Sequence, residues 1–358
     1  MSAIVTVYAD RRFRLVDMSY IRWFKISEAL ARCGHRVHMA TGQTPSWARG
    51  RSAIPAPQNV RQVPLRRVRW SDYDVVKTLF HEGFDVLARY GGHRHPFIIS
   101  KLGSVVGPED RPGIYFYRRT RERLYATQRR ISETSKYVTV LSQPAKQLWM
   151  ECFGDRNNVL VVPGAVDRDI PPPGRDPYPE DSRPRCIFAG NVYGRNSQPE
   201  ANSVLISKLN MLGRLLSDRG ILLYLLGPGH LRRLDNRWVR YLGAVPYEEA
   251  WAYLRFANVG IVVAPGPFMH NNESSKIYSY LRVGLPVVCE AGFPNERVVT
   301  ESHLGFLVDN GNLELMAERV DDAIHREWNR AAGIQYVLDH HTWDTRVEVY
   351  DKIIRERF

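Results

Sequence analysis

The sequence predicts an α/β protein built from two successive Rossmann-like domains, each with a parallel sheet. Three observations predict it: a strand–helix–strand pattern in the first 40 residues, a proline-rich break at mid-chain, and a restart of the same alternation after the break. The first strand is the β-rich run Ile4 to Tyr8. A polar stretch from Asp10 to Asp17 precedes a helix that begins near Ser19, read as its N-cap. Trp23, Ile26, Ala29, Leu30 and Cys33 recur at helical spacing and mark its buried face. Gly34 ends that helix, and Arg36 to Ala40 resumes as a strand, so the crossover is right-handed. Further strands are expected at 74–76, 97–99, 137–141 and 159–162.

Between Arg168 and Pro184 lie six prolines, each fixing φ and lacking a donor, so this stretch belongs to no helix or central strand. It divides the chain into residues 1–167, a hinge at 168–184, and a second domain from 185. There the pattern runs strand 186–190, helix 204–216, strand 221–226, strand 239–242, helix 246–256, strand 259–263, helix 276–283 and strand 286–289.

Composition narrows the class. With 44% hydrophobic, 25% charged and 11% aromatic residues in 358, the chain is globular rather than disordered. No apolar stretch approaches the roughly 20 residues of a bilayer span. The N-terminus has neither a basic n-region nor a small-residue cleavage site, so a cytoplasmic protein is expected. Cys33, Cys152, Cys186 and Cys289 are far apart, which predicts reduced thiols and no structural zinc. The net charge of +12 is uneven: residues 1–150 carry 26 basic against 11 acidic side chains, and the remainder 24 against 27. A basic half calls for an anionic partner.

In open parallel sheets ligands bind beyond the C-terminal strand ends. The densest polar cluster there follows the strand at 259–263 and runs from Gly266 through Asn271, Asn272, Glu273 and Ser275 to Lys276. A helix starting near Ser275 aims free N–H groups at a ligand, and Lys276 adds a full charge where a diphosphate would lie. The alternative is an N-capped surface helix with an incidental lysine.

The segment Lys276-Ile-Tyr-Ser-Tyr-Leu-Arg-Val-Gly-Leu-Pro-Val-Val288 resembles the nucleotide-sugar segment of GT-B fold glycosyltransferases, in particular the glycosyltransferase family 4-like, or group 1, bacterial enzymes. Other stretches resemble that family in the expected order: 31–37, 161–167, 225–229, 241–246, and 341–344 with Tyr350. The resemblance implies two facing Rossmann-like domains, an acceptor domain at 1–167 and a nucleotide-sugar domain at 185–340. Residues 341–358 are then a helix crossing back to the first domain. It implies donor contacts at Gly190, Arg195, Gly229, Val245, Asn271, Asn272, Glu273, Ser275, Lys276, Tyr278 and Ser279. The family's Glu-x7-Glu pair would fall at Asn271 and Ser279, so both carboxylates are missing; Glu273 is a shifted substitute, and Ser279 keeps one hydroxyl for a ribose. A Lys-centred, Glu-poor segment of this kind is similar to that of exopolysaccharide glucuronosyltransferases.

The implied activity is metal-independent transfer of a hexosyl or glucuronosyl group to a saccharide or lipid-linked acceptor. The donor is a nucleotide diphosphate sugar, UDP in preference to GDP, and the product a cell-surface polysaccharide or glycoconjugate. Inversion needs a base near the acceptor, for which Asp17, His81, Glu82, Glu109 and Asp110 are candidates; where some inverting relatives carry an aspartate, this chain has Ser100-Lys101. In a retaining enzyme the leaving diphosphate takes the proton. A nucleotide-sugar epimerase and a binding protein that has lost the chemistry are the rival readings. No metal-ligand spacing and no cofactor motif is present in the sequence, so neither is expected.

The run Ile114 to Tyr125, with Tyr115, Phe116, Arg118, Arg119, Arg121 and Arg123, interleaves aromatics and arginines, and Arg129 and Arg130 follow. One face of such a helix suits an anionic membrane surface at the inner leaflet; a solvated charged helix is the alternative. No nucleic-acid module is recognised, and no oligomeric state is read from the sequence.

Overall fold

Aliphatic and β-branched runs form the strands, and amphipathic segments between them cover both sheet faces. The structure, a computed structural model, describes the 358-residue chain apart from residues 9–17, 43–57, 108–117, 155–157, 193–198, 267–268 and 270. In chain order the first sheet and its helices are β1 (Ala3–Val7), α1 (Met18–Arg32), β2 (Arg36–Thr41), β3 (Arg61–Pro64), β4 (Val75–Leu79), α2 (Phe80–Arg89), β5 (Ile98–Lys101), α3 (Arg118–Thr134), β6 (Tyr137–Val140), α4 (Gln143–Phe153) and β7 (Val159–Val161). There follow β8 (Arg185–Ala189), α5 (Pro199–Ser217), β9 (Leu222–Leu226), β10 (Val239–Gly243), α6 (Tyr247–Arg255) and β11 (Val259–Val262). The chain continues with α7 (Ser275–Arg282), β12 (Val287–Glu290), α8 (Arg297–Glu301), β13 (Gly305–Val308), α9 (Leu313–His325), α10 (Arg330–His340) and α11 (Trp343–Arg355).

Among the described residues these strands make two sheets, ordered β3-β2-β1-β4-β5-β6-β7 and β10-β9-β8-β11-β12-β13. Every pairing is parallel. Both are doubly wound, and the strand order reverses between β1 and β4 in one and between β8 and β11 in the other. Such switch points open a crevice at the C-terminal strand ends. Strand alternation splits the second core: Cys186 and Phe188 face one side with Leu209, Leu212 and Met316, and Ile187 faces the other with Ile277, Tyr280 and Leu281.

The described residues form two compact units: those of 1–164 with 343–358, and those of 165–342. These divisions differ from the boundaries read from the sequence. The passage lies at Gly164–Ala165, and residues 168–184 belong to the second unit. Tyr178 explains this: it is buried, its ring lies 4.8 Å from that of Tyr224, and its hydroxyl donates to the Tyr253 carbonyl. Prolines exclude regular hydrogen bonding but leave the side chains between them free to anchor. The C-terminal helix α11 lies in the first unit. Its Trp343, Val347, Tyr350 and Ile354 are buried, and Tyr350 Oη bonds Thr139 Oγ1 at 3.0 Å. Arg32 pairs with Asp344, and His35 Nε2 lies 2.8 Å from Asp351.

Ser19 lies within helix α1, which is already helical at Met18, rather than at its cap. Strands β3 and β13 are additions to the sequence reading; both lie at sheet edges, where pairing on one side relaxes the apolar pattern. All four cysteines are free thiols. No helix among the described residues is long and apolar enough to cross a membrane.

Candidate functional site

In the second unit the site is built around α7. Gly260, on β11, leaves room for the ring of Tyr280: a methyl group there would stand 2.5 Å from Cδ2. The Tyr280 hydroxyl accepts from the Ala189 amide at 2.8 Å and lies 3.3 Å from the Ile261 carbonyl, bridging β8 and β11 at their switch point. Docked this way, α7 presents its N-terminus at the C-terminal ends of those strands. Ser274 precedes it with no side-chain cap, and its buried Oγ has no hydrogen-bond partner among the described residues. Its backbone is held on both sides by Asn295, whose Oδ1 accepts from Ser274 N at 3.0 Å and whose Nδ2 donates to Ser274 O at 2.9 Å.

Lys276, in the first turn, folds back over the end of β8. Its Nζ stands 4.7 Å from the centroid of Phe188, and a methyl group at Gly190 would overlap its Cε and lie 2.9 Å from Nζ. Among the described residues no carboxylate pairs with it. Burial pushes its ammonium down to about 8, against a smaller opposing pull from Cys289. A lysine without a carboxylate partner among the described residues, an uncapped helix start and a buried hydroxyl thus fall within three consecutive residues, Ser274 to Lys276. Together they can bind an anion with charge-assisted hydrogen bonds.

Around this point, Glu273 is partly exposed and its Oε1 accepts from the Tyr278 hydroxyl at 3.1 Å. Tyr278 is buried and packs against the ring of His341 at 5.2 Å. Asn271 is buried, and Asn272 is half-buried with its amide on the Met269 carbonyl. Ser279 donates its hydroxyl back to the Ser275 carbonyl at 3.3 Å, so that proton serves the helix rather than a ribose. Gly190 ends β8 with its amide on Leu226 O. Gly229 is exposed and pairs with Val192, whose backbone fills the space a side chain would need. Val245 is half-buried against the core on the α7 side of the sheet. Arg195 lies outside the described residues.

In the first unit the candidate bases separate. Asp17, Glu109 and Asp110 lie outside the described residues. His81 is a correction to the sequence reading. It sits in the first turn of α2, 8% exposed, with Nε2 3.0 Å from Gln128 Oε1. Gln128 is in turn locked to both the amide and the carbonyl of Val106. Burial pushes His81 down to about 4, so it is a neutral core imidazole tying α2 to α3, not a base facing a substrate. Glu82, beside it, is partly exposed at the C-terminal end of β4. Phe80, at the same junction, has φ 59°, a left-handed conformation rare for a bulky residue, and its ring fills the space over Gly103. Ser100 and Lys101 are buried within β5, with Lys101 Nζ on the Val162 carbonyl.

Tyr115, Phe116 and the side chain of Arg118 lie outside the described residues. Helix α3 buries Leu124, Gln128 and Ile131 and exposes Arg119, Arg123, Arg129 and Arg130; Arg121 is half-buried. Arg123 pairs with Asp85 at 3.1 Å. Arg66, Arg67 and Arg69 are exposed on the same unit and extend the basic surface beyond what the sequence reading singled out. Among the described residues there is no group of three metal-ligating side chains.

Sequence reasoning also missed a buried pair behind the site, Lys208 on α5 and Glu290 at the end of β12, 2.7 Å apart. A carboxylate closing the apolar run Val287 to Glu290 was the available signal; its partner, 82 positions away, was not readable.

Residues 206–332 match a family model described as the glucosyltransferase 3-like C-terminal domain. No curated protein matches the chain. Solved structures match over nearly all of it. A sucrose-phosphate synthase from Thermosynechococcus elongatus is 14% identical, with TM-score 0.69 and 99% of each chain covered. HepE from Anabaena, solved with UDP and glucose, is 12% identical with TM-score 0.69, covering 99% of this chain and 100% of that one. WaaG, a glycosyltransferase involved in lipopolysaccharide biosynthesis, is 13% identical with TM-score 0.64, covering 98% and 99%. The chain has the GT-B fold, and residues 206–332 in its second unit match the glucosyltransferase 3-like C-terminal domain.

Proposed function

We propose that the protein is a glycosyltransferase that takes a sugar from a nucleotide diphosphate donor, UDP-linked in preference to GDP-linked, and passes it to a saccharide or lipid-linked acceptor. The observation that carries this reading is Lys276: a half-buried cation with no carboxylate partner among the described residues, folded over Gly190 at the start of α7. HepE, with the same fold, was solved with UDP and with UDP-glucose, which supports the nucleotide.

In the reaction the bond from the anomeric carbon to the β-phosphate oxygen breaks and a bond to the acceptor oxygen forms. Lys276 and the α7 amides stabilise the negative charge that develops on the departing diphosphate. The acceptor proton goes to a carboxylate, for which Glu82 is the described candidate, or to the diphosphate itself. We propose that charge neutralisation by these groups makes a divalent cation unnecessary, so that turnover in EDTA equals turnover in Mg²⁺. Glu273, whose Oε1 accepts from the Tyr278 hydroxyl, is on this reading the acceptor for a sugar hydroxyl. The exposed arginines of α3 and of residues 66–69 support contact with an anionic membrane surface or acceptor.

Lys276→Ala should lower donor turnover at least tenfold, about 1.4 kcal/mol or more of barrier. Unchanged turnover with unchanged UDP affinity would remove Lys276 from the site. Conversion of the donor sugar with no acceptor present would point to epimerisation instead.

A further inference from the structure

The segment that delivers Lys276 leaves the sheet at Ala264 and enters α7 at Ser274, and each of these two residues is gripped through both backbone polar groups. At the first, Glu290 Oε2 accepts from the Ala264 amide at 2.5 Å while Lys208 Nζ donates to the Ala264 carbonyl at 3.1 Å. At the second, the carboxamide of Asn295 takes both the amide and the carbonyl of Ser274. Such double engagement by side chains replaces what a neighbouring strand would supply, at positions where β11 has already ended.

The first grip is expensive to build. Glu290 is fully buried, and Lys208 has a 14% exposed side chain. Desolvating both charges opposes their attraction, and an apolar pair of similar volume commonly serves stability as well. This pair is nevertheless fully satisfied. Nζ also lies 2.8 Å from the second Glu290 oxygen and 2.8 Å from Asn310 Oδ1, and Glu290 Oε1 accepts from the Gly311 amide at 2.9 Å. Four pieces of backbone and side chain from α5, β12, the β13–α9 connection and the end of β11 therefore meet at one charged knot on the C-terminal edge of the sheet. That edge is where the candidate site lies.

We infer that Lys208 and Glu290, with Asn295 at the far end, are positioning residues of the donor site. They fix where the 264–274 segment starts and stops, and so where Lys276 and the α7 amides stand. The inference rests on the donor-site reading above for its functional consequence, but the clamping itself does not.

The test uses the full chain with K208M, E290Q, the double variant K208M/E290Q, and K276A. Backbone amide exchange without ligand is read over 264–276 and, as reference, over β8 and β9; UDP affinity and stoichiometry are read by calorimetry. K208M alone leaves a buried unpaired carboxylate and should melt lower. The double variant removes that charge and should recover most of the melting temperature. Clamping predicts that 264–276 still exchanges at least fivefold faster in the double variant, with β8 and β9 unchanged, and that UDP binds at least tenfold more weakly at a stoichiometry near one. Native exchange over 264–276 with UDP affinity within twofold of wild type would overturn the inference, as would a uniform rise in exchange across the unit. If wild-type binding of UDP does not depend on Lys276, the donor-site reading fails, and exchange alone still decides whether the clamps exist.

Discussion

Two lysines sit in low-dielectric surroundings and differ in what they face. Lys77, on β4, is 3% exposed; its Nζ lies 4.3 Å from the centroid of Tyr350, and burial pushes it down from 10.5 to about 7. The unfolded chain binds that proton more tightly, so this residue makes stability rise with pH between about 7 and 10.5, and the gain is lost as pH falls through 7. Lys77→Met should raise stability by about 1 kcal/mol at pH 7, since ring contact offsets only part of the cost of an enclosed ammonium. Urea melts at pH 6 and pH 9 check this; a variant with the wild-type pH slope over that window contradicts it. On the proposed reading Lys276 instead binds an anion, which would raise its proton affinity. UDP affinity should therefore hold steady below about pH 8 and fall above it, with proton uptake measurable by calorimetry in two buffers. Lys276 was legible because it follows a strand end inside a polar cluster and inside a recognisable segment. His81 had the same positional credentials, yet Gln128, 47 positions away, makes it a core residue. Pairings of that range leave no trace in local pattern.

At the scale of elements, the central strands read clearly because both their faces are buried and their aliphatic runs are unbroken. Strand β3, Arg61–Pro64, did not, since it contains an arginine, a glutamine and a proline. Residues 168–184 were legible as irregular but not as attached, because their buried anchor, Tyr178, stands among prolines and its partners, like those of Asp176 and Asp181, lie outside any regular pattern. Helix α11 is a sharper case: the resemblance alone supplied it, as a helix crossing back to the first domain. There Tyr350 spans two contacts, the Lys77 ammonium and the Thr139 hydroxyl. Tyr350→Phe keeps the ring and removes the hydrogen bond, so it should cost about 1 kcal/mol. Thermal melts should then fall by roughly 2–4 °C. No change in melting temperature would mean the hydroxyl is equally well solvated without Thr139.

For the whole molecule, charge asymmetry was legible from composition, and the exposed arginines of α3 and residues 66–69 give it a location on the first unit. Sedimentation with vesicles containing phosphatidylglycerol should capture the protein at low salt and release it as salt rises. R119E/R129E should weaken that capture more than tenfold, at about 1 kcal/mol per basic residue near the surface. Equal binding to neutral vesicles would contradict an electrostatic contact. The fold class was legible because two doubly wound sheets repeat one simple pattern; the identity of sugar and acceptor was not, because those contacts depend on side chains brought together from distant positions. The central claim is spatial: a diphosphate rests at the start of α7 against Lys276. A crystal structure of the full chain with UDP tests it most directly. The account predicts the β-phosphate about 3 Å from Lys276 Nζ and within hydrogen-bond reach of the first α7 amides. UDP bound with its phosphates away from Ser274, Ser275 and Lys276 would contradict it.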